Sequence, residues 1–192
     1  MAEEAQADLL SPIKDLRLVQ MLLADLHDDL PDKVARFRQL ADLSGVLGSS
    51  GTMLAGGETT YAAWTEARTS FIHGNYVATV LLCQGLAEHL LAAYLAVGIH
   101  GEELPSRISF QDTLRRCLVR DVITEQDADD LRRLMGLRNP LSHYRNIDDP
   151  SNLSRRVIDT MVSVESHLRS DATFAISLAI RLLALPAFRL GD

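Results

Sequence analysis

Between Tyr76 and Ile99 the chain carries no lysine, arginine or aspartate, and a single glutamate, Glu88, stands near the middle. About twenty apolar residues suffice to cross a bilayer, so this stretch is either a membrane span or the innermost helix of a bundle. Gln84, Glu88 and His89 crowd its midpoint. A charged residue at the centre of a span costs roughly 2.5–3.5 kcal/mol on insertion scales, which favours the bundle. A helix that is apolar around its whole circumference must then be covered by other helices.

Those covering helices are legible from apolar periodicity. Leu9, Ile13, Leu16, Val19, Leu23 and Leu26 recur every three or four residues over 8–29, the mark of one apolar helical face. Pro31 suits the start of a second helix, in which Val34, Phe37, Leu40 and Leu43 repeat the spacing over 32–43. Residues 44–60 are rich in Gly, Ser and Thr, have no period, and are read as a flexible linker between an N-terminal helical arm (1–43) and a helical domain (61–192). In that domain a helix is expected over 61–73, a break at Gly74-Asn75, the apolar helix over 76–97, a loop over 98–109 and a short amphipathic helix over 110–120. Thr124, with Asp127 three residues on, has the capping-box pattern, aspartate replacing the usual Glu or Gln. The helix it heads should end or kink at Pro140. Helices over 151–170 and 172–185 complete the series, and no segment shows strand alternation or internal repetition. The expected fold class is all-α.

A chain of 192 residues, 47% hydrophobic and 23% charged, has the balance of a globular protein with one substantial core. Its net charge of −7 argues against a surface that coats long nucleic acid by neutralising phosphates, but leaves room for a small basic site. Cys83 and Cys117 lie in apolar runs without CxxC spacing, as small core residues rather than a disulfide framework or a zinc site. The acidic opening MAEEAQADLL lacks a charged-then-apolar leader pattern. A cytoplasmic protein without cofactor, metal or membrane partner is expected.

One short segment brings chemistry together: Arg138-Asn139-Pro140-Leu141-Ser142-His143. Arginine supplies a permanent charge and a planar donor fork suited to phosphate oxygens. Histidine can take and return a proton near neutral pH. Five residues apart across a helix end, the two can converge on one point, with Asn139 and Ser142 adding neutral hydrogen-bonding groups. Arg132, Arg133, Arg145, Arg155 and Arg156 surround them, a local basic cluster in an acidic chain. The alternative reading is a helix C-terminal cation and an exposed loop histidine, both favourable at a helix's negative end.

The phrase LRNPLSHYR, placed after AWTEARTSFIHGNYVATVLLCQGLAEHLLAAYL, resembles the HEPN (higher eukaryotes and prokaryotes nucleotide-binding) superfamily. Its signature is an arginine, four to six residues, then a histidine, often with a polar residue directly after the arginine. Arg138, Asn139 and His143 match, and the upstream helix pair matches the first two helices of that fold; the likeness covers roughly residues 61–185. It implies an up-and-down helical bundle and a homodimer whose two motifs meet at the interface. It also implies metal-independent endoribonuclease activity, as in toxin or defence components, with an antitoxin or other regulatory partner. Arg138, His143 and Asn139 would be catalytic, Glu88, Ser142 and Tyr144 supporting, and Arg132, Arg133 and Arg145 would contact RNA. In a toxin subgroup a modifiable tyrosine lies two residues after the histidine. Here Tyr144 follows His143 directly, a shift that turns the side chain by about 100° on a helix.

Glu88 has two readings: it faces the motif and orients Arg138 or His143, or its stripe with Gln84 meets solvent or another arginine. His89 points about 100° away from Glu88 and is read, with His27, His73, His100 and His167, as structural. The rival to a ribonuclease is a non-catalytic HEPN-like dimer that binds a nucleotide or a partner protein. The two amphipathic faces of the arm suggest that it extends the dimer.

Overall fold

A computed structural model describes residues 15–48, 51–97, 101 and 103–190. They form seven α-helices: α1 (Leu16–Ser44), α2 (Gly57–Ile72), α3 (Tyr76–Ala96), α4 (Phe110–Val119), α5 (Glu125–Ser142), α6 (Leu153–Thr160) and α7 (Val164–Leu183). Short 3-10 turns follow α1 and α7. The described residues contain no strand, only an isolated antiparallel bridge between Thr52 and Arg189. The chain is all-α.

Helix α3 is the innermost element and packs against α2, α4, α5 and α7. It is long and apolar enough to span a membrane by composition, and half of its most apolar window is buried. Val80, Leu86, Leu90, Leu91 and Leu95 are fully enclosed along one half of the helix, and the other half is partly exposed. Cys83 and Cys117 are both buried in this core, as expected, and burial pushes the Cys83 thiol far up. The capping box at Thr124 forms in both directions: Thr124 Oγ1 accepts from the Asp127 N–H at 3.1 Å, and Asp127 accepts from the Thr124 N–H at 3.0 Å.

Four expectations need correction. Pro31 does not divide the arm: α1 runs unbroken through it. The proline removes one backbone hydrogen bond, but it lies on an exposed stretch where the freed carbonyl can be solvated. Asp29 ties the next turns together by pairing with Lys33 Nζ at 2.9 Å and Arg36 at 3.0 Å. Second, the glycine-rich stretch is not free chain. Met53 N–H donates to Phe188 O (2.7 Å) and Leu190 N–H to Gly51 O (3.2 Å); Ala55 is buried, and Leu47 and Leu54 pack on the core. Its scattered apolar residues anchor it, and α2 starts one turn early, at Gly57. Ser49 and Ser50 lie outside the described residues, as do residues 1–14, where the first helix was expected to begin, and Gly98–His100 of the following loop.

Third, the late helix break falls at Met161 rather than Asp171. Met161 adopts a left-handed backbone (φ 56°) and closes α6, while Ser163 caps α7 by accepting from the Ser166 N–H. Asp171 then sits inside α7, buried, where it accepts two hydrogen bonds from Arg156 (2.6 and 3.0 Å). Finally, Pro140 does not end α5, which continues to Ser142.

Candidate active site at the end of α5

Pro140 lies so near the end of α5 that its missing N–H costs little, and the last turn still closes with His143 N–H on Asn139 O at 2.9 Å. At His143 the backbone turns extended (φ −131°, ψ 138°), which swings the imidazole back along the helix. Arg138 Nη1 then lies 3.3 Å from His143 Nε2 and 3.5 Å from Asn139 Oδ1. A guanidinium only donates, so in this contact Nε2 accepts. The three residues expected to act together are therefore adjacent, with His143 exposed and Arg138 half-buried.

The expected supporting residues differ. Ser142 Oγ donates to Arg138 O (3.1 Å) and to Asn139 O (3.5 Å). It bonds back to carbonyls of its own helix and so shapes the turn rather than pointing at a substrate. Tyr144 is 92% exposed and stands free of the pair.

The basic cluster is mostly neutralised from within. Arg132 meets Asp129 (2.6 Å), Arg145 meets Asp149 (3.8 Å), Arg155 meets Asp159 (2.9 Å) and Arg156 meets Asp171. Arg133 lies over the Phe174 ring, 4.1 Å from its centroid, and joins α5 to α7. None of the arginines expected to contact RNA is idle. The Arg156 guanidinium is held further toward its charged form by the Asp171 carboxylate. Arg138, like Arg133, has no carboxylate within ion-pair distance among the described residues; its partners are Asn139 and His143.

Beside Arg138 lies a half-open cavity of about 900 Å³ lined by α3, residues 104–109 and α4. Glu88 and His89 reach it from α3, Thr113 from α4 and Arg107 from the loop, with Ala92 and Ile108 among its apolar lining. Glu88 thus shares a cavity with Arg138 without a hydrogen bond or ion pair to it, and is partly exposed there, whereas Gln84 of the same stripe is buried. Sequence reasoning missed Arg107, which belongs to no motif and lies in a loop without periodicity. Among the described residues no group of His, Cys, Asp and Glu could hold a metal ion. No family model, curated protein or solved structure matches this chain.

Proposed function

We propose that the chain is a homodimeric, metal-independent endoribonuclease of the HEPN type, with Arg138 and His143 as its catalytic residues. The observation that carries this reading is the 3.3 Å approach of Arg138 to His143 at an exposed helix end, with no carboxylate competing for the arginine. A phosphate entering the site gives the guanidinium the anion it lacks. Drawing Arg138 onto the phosphate frees His143 Nε2 for proton transfer. The 2′-hydroxyl loses its proton as its oxygen attacks the adjacent phosphorus, and the bond to the 5′ oxygen breaks as that oxygen is protonated. The products are a 2′,3′-cyclic phosphate and a 5′-hydroxyl. His143 serves as the base at the 2′ oxygen or the acid at the 5′ oxygen. Arg138 stabilises the charge that builds on the phosphate, the type of term often largest in catalysis.

The dimer in this reading finds support in α1, whose first half presents an exposed apolar stripe that includes Leu16, Leu23, Leu26 and Leu30. A stripe of that extent normally marks an interaction surface. The internally paired arginines favour a second reading, a non-catalytic dimer that binds a single nucleotide, because they leave little free positive surface for long RNA. Cleavage of RNA in the presence of EDTA, compared between the native chain and His143→Ala, separates the two.

A further inference from the structure

We infer that the cavity beside Arg138 is a nucleobase pocket selective for guanine, with Glu88 as the residue that reads the base. The inference rests on the phosphate-binding role of Arg138 proposed above and adds what the site recognises.

At about 900 Å³ the cavity has the volume typical of small-ligand sites, about 300–1,000 Å³. Arg138 lines it, so a base whose phosphate is held by that guanidinium has this space within reach. Ala92, Ala96 and Ile108 offer apolar surface to the faces of a ring. Glu88 is half-buried on α3 and bonds to no described residue, although Arg107 and Arg138 line the same space. Water reaches this carboxylate in the open cavity, and an incoming base with its own donors can take the water's place.

A carboxylate only accepts. On its Watson–Crick edge guanine presents two adjacent donors, N1–H and the N2 amino group, which match the two carboxylate oxygens side by side. Adenine and cytosine each place a ring acceptor beside their amino group, and uracil flanks its single N–H with two carbonyls; each sets a lone pair against the carboxylate. Bases splayed from single-stranded RNA are read on this edge. Arg107, from the loop wall, is placed to donate to guanine O6 or N7, the usual arginine contact with that base.

The test is calorimetric titration of the intact protein with 3′-GMP and 5′-GMP against 3′-AMP and 5′-AMP. At least one guanine nucleotide should bind about tenfold more tightly than its adenine counterpart, within the discrimination of one good bidentate base contact. In Glu88→Gln, which puts a donor where guanine also donates and gives adenine's ring nitrogen a donor to accept from, that preference should collapse or reverse. Arg138→Ala should weaken all four ligands alike. An unchanged melting temperature shows that the substituted chains remain folded. Equal affinities, no binding, or a preference that survives in Glu88→Gln would overturn the guanine pocket. RNA cleavage without guanine preference would overturn it while leaving the nuclease reading intact; guanine selectivity in a chain that cleaves no RNA would keep the pocket and remove the nuclease.

Discussion

Arg138 lies 3.3 Å from His143 Nε2, across the last turn of a helix that a proline fails to interrupt. The two are five residues apart, and a regular helix would leave them on different faces. They meet because His143 turns extended once its N–H has bonded Asn139 O. The contact is local, made by the end of one helix, whereas the cavity beside it depends on the docking of α3, α4 and their loop.

The pairing of Arg156 with Asp171 holds α6 on α7, and α6 follows the loop that leaves His143. Removing one partner strands a buried charge, which typically costs 3–5 kcal/mol. Because Arg156 keeps a quarter of its side chain exposed, Asp171→Ala is expected to lower unfolding stability by about 3 kcal/mol in urea titration. A loss below about 1 kcal/mol would mean that the pair adds little beyond a surface contact.

Acid should erode stability through three aspartates. Arg115 and Arg116 hold the Asp112 carboxyl below its ordinary value of 3.8, Lys33 and Arg36 do the same for Asp29, and Ser151 for Asp149. A carboxyl depressed in the folded state stabilises the fold above that ordinary value, and the contribution vanishes as pH falls through the folded value. Thermal melts between pH 7 and pH 2 should show Asp112→Asn less stable than the native chain at neutral pH, with the difference closing on the acid side of 3.8. Parallel curves over the whole range would contradict this.

Thr60 is fully buried on α2, and its hydroxyl oxygen has no hydrogen-bond partner among the described residues. Replacing an unsatisfied buried hydroxyl by a methyl of the same shape removes a desolvation cost. Thr60→Val is expected to raise stability by about 1 kcal/mol. Destabilisation would show that the hydroxyl is satisfied in solution.

The stripe on α1 predicts where self-association occurs. Deleting the entire arm is a poor probe, because Arg36 and Leu40 are buried in the bundle. Substituting Leu23, Leu26 and Leu30 with glutamine leaves that anchor intact. Light scattering should report the monomer mass for this variant and twice that mass for the native chain. An unchanged mass would place the dimer contact elsewhere.

Much of the fold was legible in the sequence where the signal was local. The apolar run over 76–97 became α3 within a residue, and Thr124 with Asp127 formed the expected cap. Errors arose where tertiary context overruled local chemistry. Pro31 passes through α1 because ion pairs bridge the turns around it, and the glycine-rich stretch is pinned by Phe188 and Leu190, far along the chain. The break expected between residues 170 and 172 falls inside α7, where Asp171 is buried against Arg156, fifteen residues away on another helix. Arg138 and His143 were legible as a pair. Nothing in the spacing revealed that the surrounding arginines would be claimed by aspartates, or that Arg107 would share a cavity with Glu88 and Arg138.

The most direct test of the central claim is cleavage of a fluorescent single-stranded RNA by the purified chain in excess EDTA, followed for the native protein, Arg138→Ala and His143→Ala. The account predicts metal-independent cleavage that leaves 2′,3′-cyclic phosphate ends, reduced by at least about a hundredfold in each variant, with melting temperatures within about 2 °C of the native value. Cleavage that persists in His143→Ala, or a native chain that leaves the RNA whole, would contradict it.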